Sequence, residues 1–179
     1  QNDVLVPDGD TLIVEPGTLV EFGAGVRLDV EGIIHAEGTQ VDSIRFTAQN
    51  INNEWEGLGI IPINAATDSS ILEYCIFEYG NGLIFIGAFN KVRIEHCLIQ
   101  NGSTASNGAG LAAIGTAGGS FIIRNNVFRN NHAPGQGGAI LIGGVSSTHI
   151  IQDNLFLNNS ALGVGGAISF NGNESAIVS

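Results

Sequence analysis

The sequence predicts an all-β fold, a parallel β-solenoid in which each repeat forms one turn, and three observations support this. Phe128-Arg-Asn-Asn131 and Phe156-Leu-Asn-Asn159 begin 28 residues apart, and each is followed by Gly-Gly-Ala-Ile. Short apolar alternations separated by Asn and Gly turn residues fill each period. The chain has 26 glycines and no methionine, and helical periodicity is absent from its longer segments. Together these features are typical of a β-solenoid with, by the spacing, roughly seven rungs.

The first strand of each repeat carries the motif apolar-x-x-(Asn or Cys)-x-apolar. Side chains alternate between the two faces of a strand, and rungs stack about 4.8 Å apart. We therefore expect two buried columns and one exposed column. The first buried column contains Leu72, Ile94, Ile123 and Ile151; the second contains Phe77, Ile99, Phe128 and Phe156; the exposed column contains Glu73, Glu95, Arg124 and Gln152.

The chain is interpreted as one elongated domain over residues 1–179. Residues 1–62 are expected to form the N-terminal cap and opening rungs, and residues 63–179 the regular repeats. Residues 175–179 read as the first strand of a further rung, so we expect a truncated C-terminal end or a partner that caps it. No apolar run reaches the roughly 18 residues of a transmembrane helix, so no transmembrane segment is predicted. Gln1 is interpreted as a processed start, since no signal peptide precedes it.

Two resemblances refine this prediction. The paired F-x-x-N and G-G-A-I units, over about residues 123–170, resemble the repeats of chlamydial polymorphic outer-membrane proteins, whose passenger regions are right-handed parallel β-helices. The segments 12–22, 28–39, 44–47 and 55–58 resemble the opening rungs of secreted, pectate-lyase-like β-helix proteins. The resemblance implies a right-handed parallel β-helix that is extracellular or displayed on a bacterial cell surface. It leaves activity open, because this architecture carries lyases, hydrolases, adhesins and inert spacers.

Charge restricts the class of partner. The net charge is −11, and residues 1–100 hold 15 of the 17 acids with four of the six basic residues. Such a surface disfavours nucleic acid, which requires a basic face. The acids are interpreted as a solvated face; no cofactor is predicted, and the alternative is a Ca²⁺ site with Asp8 and Asp10 as the best local ligands.

Cys75 and Cys97 occupy equivalent positions 22 residues apart and should lie on neighbouring rungs. Two interpretations stay open, a disulfide in an oxidising compartment and a pair of buried free thiols; parallel side-by-side strands favour the thiols, because they strain the bridge. The same column continues with Asn126 and Asn154, which we expect to form an inward ladder of side-chain amides. The amides expected to face outward, as turn residues or as sugar-binding groups, are Asn130, Asn131, Asn158 and Asn159.

Catalytic candidates are few. Glu73 and Glu95 should lie about 5 Å apart in one column, which is the carboxylate separation of a retaining glycosidase. Arg93 flanks them on the same outer sheet and is the candidate base of a lyase. Cross-strand charge pairing explains the three residues equally well. The four histidines are scattered, and His149 is expected at a strand edge.

The second strand of each repeat suggests an interface. If Ile84 and Ile140 point inward, an apolar strip with Leu83, Phe85, Leu111 and Leu141 points outward, and such strips usually bind partners. The alternative is that a loop, such as 102–108 or 115–120, covers the strip. The predicted function is therefore a structural, adhesive or partner-binding module within a larger cell-surface assembly, with a protein or a surface glycan as partner. The competing prediction is a polysaccharide lyase, a glycoside hydrolase or a carbohydrate-binding module.

Overall fold

The chain winds as a parallel β-solenoid, and the computed structural model describes residues 3–62, 69–87, 91–114, 120–144, 148–171 and 175–178. The first three turns are built from β1 (Val4–Val6), β2 (Thr11–Val14) and β3 (Leu19–Phe22); β4 (Leu28–Val30), β5 (Ile33–Glu37) and β6 (Ile44–Ala48); and β7 (Leu58–Ile60), β8 (Ser70–Glu73) and β9 (Cys75–Glu78).

The later turns follow the same order. They contain β10 (Ile84–Ile86), β11 (Lys91–Glu95) and β12 (Leu98–Gln100); β13 (Leu111–Ile114), β14 (Ser120–Arg124), β15 (Val127–Arg129) and the short β16 (His132–Ala133); β17 (Ile140–Gly143), β18 (Thr148–Gln152), β19 (Leu155–Leu157) and the short β20 (Ser160–Ala161); and finally β21 (Ile168–Asn171) and β22 (Ser175–Val178).

Corresponding strands of successive turns pair in parallel and form three long sheets. Sheet A has the order β1-β4-β7-β10-β13-β17-β21, sheet B the order β2-β5-β8-β11-β14-β18-β22, and sheet C the order β3-β6-β9-β12-β15-β19. The predicted fold class, an all-β parallel solenoid, is confirmed. Within the described residues six turns are complete and two strands begin another, slightly fewer turns than predicted. No helix in this part of the chain is long and apolar enough to cross a membrane.

The predicted core columns are confirmed. In sheet B, Ile94 lies between Leu72 and Ile123, and Ile123 pairs with Ile151; all four side chains are buried. In sheet C, Ile99 lies between Phe77 and Phe128, and Phe128 pairs with Phe156. The Phe128 and Phe156 rings stack with centroids 5.3 Å apart. Like side chains thus meet in vertical register, which gives a continuous apolar core without a helix.

In the third to sixth turns, two corners depend on a residue in the left-handed conformation. Between sheets B and C these residues are Tyr74, His96, Asn125 and Asp153, and after sheet C they are Tyr79, Asn101, Asn130 and Asn158, all with φ between 47° and 57°. Asn and Asp accept this conformation more readily than other non-glycine residues. The corners therefore explain why Asn or Asp occupies five of these eight positions.

In the fifth and sixth turns, the asparagine that follows each left-handed corner turns its side chain inward, and this gives two asparagine ladders. The predicted ladder is confirmed: the Asn126 amide donates to the side-chain oxygen of Asn154 at 3.0 Å and to the Ile94 carbonyl at 2.9 Å. The prediction that Asn131 and Asn159 face outward is wrong. Asn131 is fully buried and donates to Asn159 at 3.0 Å in a second ladder of the same design.

The predicted strand-edge position of His149 is also wrong. His149 lies within β18, opposite Ala176, and its side chain is buried in the core. Its ring stacks on Phe121 of the preceding turn, with centroids 4.5 Å apart. The histidine thus occupies an inward position in sheet B, where an aromatic ring extends the core.

Candidate functional site

The outer face of sheet B carries the predicted catalytic candidates. Glu37, Glu73 and Glu95 lie in register on three successive turns, so the predicted Glu73–Glu95 neighbourhood is present. The next residue in the column is Arg124, whose Nε donates to the Glu95 carboxylate at 2.6 Å. The Glu95 side chain is only 5% exposed. Glu95 is therefore held in an ion pair, as expected for cross-strand charge pairing.

Arg93 lies in a different column from the two acids. Along β11, residues 91, 93 and 95 point outward, and Arg93 is in register with Ile71 on one side and Ile122 on the other. Within the described parts of the chain, Arg93 makes no salt bridge to an acid. The structure thus brings Glu73, Glu95 and Arg93 onto one face, but it does not pair the arginine with either carboxylate.

A shallow groove lies beside Arg93 at the start of the sheet B strands. Its cavity volume is about 310 Å³, and it is lined by Ser69, Ile71, Lys91, Val92, Arg93, Ser120 and Ile122. Lys91 is exposed, and Arg93, Ile71 and Ile122 are half-buried. The groove therefore combines two cations with two isoleucines and two serines on an outward face, a mixture suited to a ligand with both charged and apolar parts.

The two cations of this groove differ from the other basic residues of the chain. The protein has six Lys and Arg residues. Four of them have an acceptor nearby: Arg27 pairs with Asp29, Arg45 with Glu78, Arg124 with Glu95, and Arg129 donates to Gln100. Among the residues that the structure describes, no acid lies within salt-bridge distance of Lys91 or Arg93. The described acids thus leave the charge of these two groove residues unpaired.

Sequence reasoning missed Lys91 and the outward isoleucines of sheet B. The sequence does contain a signal for this outward column. Each inward residue of the first column is preceded by an outward one, and three of these four outward residues are isoleucine: Ile71, Arg93, Ile122 and Ile150. The doublets Ile122-Ile123 and Ile150-Ile151 break the alternation of apolar and polar residues expected of a strand with one solvated face. Two such doublets in register indicate an apolar column outside as well as inside.

The predicted apolar strip on sheet A is corrected in its register. Leu111 pairs with Ile84 and Ile140, and it is fully buried in the core. Leu83 precedes β10 and is also fully buried. The prediction aligns Leu111 with Leu83 and Ala139, whereas the structure pairs Leu111 with Ile140. Two of the four predicted interface residues, Leu83 and Leu111, are thus core residues.

The true outward column of sheet A contains Phe85, Ala112, Leu141 and Ser169. Leu141 is only 3% exposed. A Cβ atom placed on Gly108 would lie 2.7 Å from the Ala112 Cβ, and one on Gly137 would lie 2.9 Å from the Leu141 Cβ. The loops that end at these glycines therefore pack on the column, which agrees with the alternative that residues 102–108 cover it. The other candidate loop, 115–120, lies outside the described residues except for Ser120.

Phe85 is the outward residue of this column that stays accessible. It lies in a cleft of about 170 Å³ whose polar lining includes Arg27, Glu56, Asn81, Thr104 and Asn107. The Arg27 guanidinium carbon is 5.6 Å from the ring centroid. The Asn81 amide donates to both oxygens of the Glu56 carboxylate, at 3.2 and 3.0 Å. An aromatic ring beside hydrogen-bonding groups from three turns can bind a small polar ligand.

Cys75 and Cys97 lie on neighbouring turns, as predicted, and both are free, buried thiols. The Cys75 Sγ lies 3.3 Å from the Ala36 carbonyl, and the Cys75 N–H donates to the Cys97 sulfur at 3.4 Å. The hydrogen bond to Cys97 and then burial raise the pKa of the Cys75 thiol above its ordinary range. Buried thiols of this kind behave as small apolar side chains.

Asp8 and Asp10, the candidate Ca²⁺ ligands, are exposed in the turn between β1 and β2. Gly9 between them has a φ of 85°, and the Asp10 N–H donates to the Pro7 carbonyl. Within the described residues, no group of three or more His, Cys, Asp or Glu side chains is placed to hold a metal ion. The two aspartates therefore belong to a turn, and the calcium site stays a prediction.

A family model matches two segments near the C-terminal end of the chain. The model of the Chlamydia polymorphic membrane protein repeat matches residues 127–143 and 155–171. Each match runs from a sheet C strand through an asparagine corner and a glycine loop to the end of a sheet A strand. The resemblance predicted from F-x-x-N and G-G-A-I is confirmed, and it points to a surface β-helical module, with an outer-membrane or surface location. Searches of curated proteins and of solved structures found no significant match. The likeness to pectate-lyase-like opening rungs stays a prediction.

Proposed function

We propose that this protein is a surface-displayed, adhesive β-helical module that holds a partner against the outer face of sheet B. The observation that carries the proposal is the column Ile71, Arg93, Ile122 and Ile150, which follows the axis of the solenoid. The three isoleucines are half-buried, and apolar side chains that group on an outer face are typical of an interaction surface. The groove beside Arg93 adds the concave shape that a partner side chain requires.

The solenoid supports this role because it supplies a long and rigid face. Strands of neighbouring turns lie about 4.8 Å apart, so equivalent outward positions form straight rows. Solenoid repeats generally use such extended surfaces for binding. The matched repeat, that of a membrane protein family, is consistent with display at a surface.

Paired variants on two faces of the solenoid test the proposal. Ile122 lies within β14 of sheet B, and Leu98 is the first residue of β12 of sheet C. Both side chains face outward and are half-buried. The purified module, its Ile122→Glu variant and its Leu98→Glu control are applied to a panel of cell surfaces and to an array of surface proteins and glycans. We expect Ile122→Glu to reduce retention at least tenfold on every surface that the wild type binds, and Leu98→Glu to leave it within twofold. Equal effects of the two variants would show that sheet B is not the binding face.

A second candidate function, carbohydrate binding, is favoured by the cleft at Phe85. There an aromatic ring, the Asn81 amide and the Glu56 carboxylate lie within one small cavity. Binding of a saccharide on a glycan array, lost in Phe85→Ala and retained in the wild type, would support this candidate. A reducing-end assay on the same glycans tests the enzymatic alternative, and turnover lost in Glu73→Gln or Glu95→Gln would replace the binding role with catalysis.

A further inference from the structure

We infer that the groove on sheet B binds a carboxylate side chain of an acidic peptide segment, with Lys91 and Arg93 as its two cationic contacts. The inference rests on the proposed function, because it assigns the chemistry of the partner on that face.

Charge favours this ligand. The chain has a net charge of −11, yet two of the three basic residues without an acid in salt-bridge distance in the described structure, Lys91 and Arg93, lie side by side in this groove, while the third, Arg129, contacts Gln100. Residues 91 and 93 both point outward from β11, so their Cα atoms are about 6.6 Å apart. A carboxylate between them is within reach of both long side chains. Arg can bind it through two parallel hydrogen bonds, while Lys contributes a point charge.

The apolar surroundings of Arg93 also favour such a ligand. Ile71 and Ile122 lie directly on either side of it in the same column, at the spacing of neighbouring strands. Apolar walls exclude water from an ion pair and strengthen it. They also provide contacts for apolar side chains that flank the ligand carboxylate.

The lining of the groove favours a peptide over an acidic glycan. Among the described residues that line it, there is no aromatic side chain. Sugar rings offer hydroxyl groups, which gain little from isoleucine walls and lose hydrogen bonds to water there. A peptide that alternates acidic and apolar residues uses both the cations and the isoleucines.

The acidic column determines how the ligand lies. Glu95 is the next outward residue of β11 after Arg93, and Glu73 lies beside it on the preceding turn. A ligand carboxylate on that side would meet like charges, which repel it. The carboxylate is therefore directed to the Lys91 side of Arg93, away from the glutamates.

Fluorescence anisotropy with three labelled twelve-residue peptides tests the inference. The peptides alternate leucine with glutamate, glutamine or lysine, and an oligogalacturonate serves as the glycan probe. We expect the glutamate peptide to bind best, with at least tenfold weaker binding when NaCl is raised from 50 to 500 mM, because salt screens exposed charges. Arg93→Ala and Lys91→Ala should each weaken it at least fivefold, and Arg93→Lys should restore most of the loss.

Arg129→Ala is the matched control, since it removes the same charge from sheet C, where Arg129 contacts Gln100. An equal loss of binding in Arg129→Ala would show that net charge and not the groove attracts the peptide, and would overturn the inference. So would tighter binding of the glutamine or lysine peptide, or of the oligogalacturonate. If the glutamate peptide fails to bind while Ile122→Glu still abolishes retention on cell surfaces, the acidic ligand is wrong and the binding face stands. If neither variant set has an effect, both proposals fail.

Discussion

Asn126 donates its side-chain amide to the side-chain oxygen of Asn154 on the next turn, 3.0 Å away, and this contact links two corners of the solenoid. The Asn126 oxygen in turn accepts the backbone N–H of Cys97 on the preceding turn at 2.8 Å. One buried amide thus joins three successive turns, with both its donor and its acceptor satisfied. Buried polar networks of this type are stabilising only when every member has a partner.

Replacing Asn126 with alanine should lower the free energy of unfolding by about 2–3 kcal/mol, because the variant leaves the Cys97 N–H without its side-chain acceptor and removes the amide that donates to the Ile94 carbonyl and the Asn154 oxygen. The Asn154 oxygen keeps one donor, the backbone N–H at position 126. Equilibrium unfolding in urea measures the change. Gln152→Ala, an exposed residue one turn along sheet B, is the control and should alter stability by less than about 0.5 kcal/mol. Similar values for both variants would mean that the ladder contributes nothing specific.

Much of the fold could be predicted from the sequence because every turn of a solenoid is subject to the same packing constraints. Side chains that recur every 28 or 29 residues, such as Ile94, Ile123 and Ile151, must share a column if each repeat is one turn. The corners were harder to place. A left-handed residue such as Asn130 changes the direction of the chain, so Asn131 points inward although alternation predicts that it points outward.

The candidate site was less predictable, because its charge depends on which basic residues pair with an acid. The sequence places Arg93 and Glu95 on one face. It does not reveal that Arg124 forms an ion pair with Glu95, while Arg93 forms no salt bridge to an acid among the described residues. The prediction of an outward apolar strip on sheet A was wrong for a related reason. One residue of register decides whether Leu111 lies in the core or on the surface, and the glycine loop that sets this register has no strand periodicity.

A comparison of two glycines tests the packing of the glycine loops. Gly137 and Gly25 both have positive φ, 64° and 68°. A Cβ atom on Gly137 would lie 2.5 Å from the Ile140 carbonyl oxygen, whereas one on Gly25 would have no atom within 4 Å. Gly25→Ala should cost about 1–2 kcal/mol of stability from the left-handed backbone alone, and Gly137→Ala should cost about 1–3 kcal/mol more because of the collision. Urea unfolding of the two variants measures the difference; equal costs would show that the loop moves aside freely.

The Cys75 thiol should make stability depend on pH in the alkaline range. Its pKa is raised in the folded state, so the protonated thiol is favoured by folding. The stabilisation is therefore complete below the ordinary thiol pKa of about 8.5 and is lost as pH rises above it, by about 1 kcal/mol between pH 8.5 and 9.5. Urea unfolding of wild type and Cys75→Ala at both pH values isolates the thiol, since other groups titrate in both proteins. Parallel pH profiles, or rapid labelling of the folded wild type by a thiol reagent at pH 8, would contradict the prediction.

Arg124 and Arg93 provide a matched pair of arginines on one face of sheet B. Arg124→Ala removes the cation that donates to the nearly buried Glu95 carboxylate at 2.6 Å. We expect a loss of about 1.5–3 kcal/mol, the usual contribution of a hydrogen bond to a charged group. Arg93→Ala removes the same charge from a residue without an acidic neighbour in the described structure, so it should change stability by less than about 0.5 kcal/mol. Urea unfolding at low and high salt measures both, and the loss in Arg124→Ala should shrink only slightly in salt, because Glu95 is shielded from solvent. If Arg93→Ala destabilises the protein as much as Arg124→Ala does, then Arg93 stabilises the fold, and its charge is not free to bind a ligand.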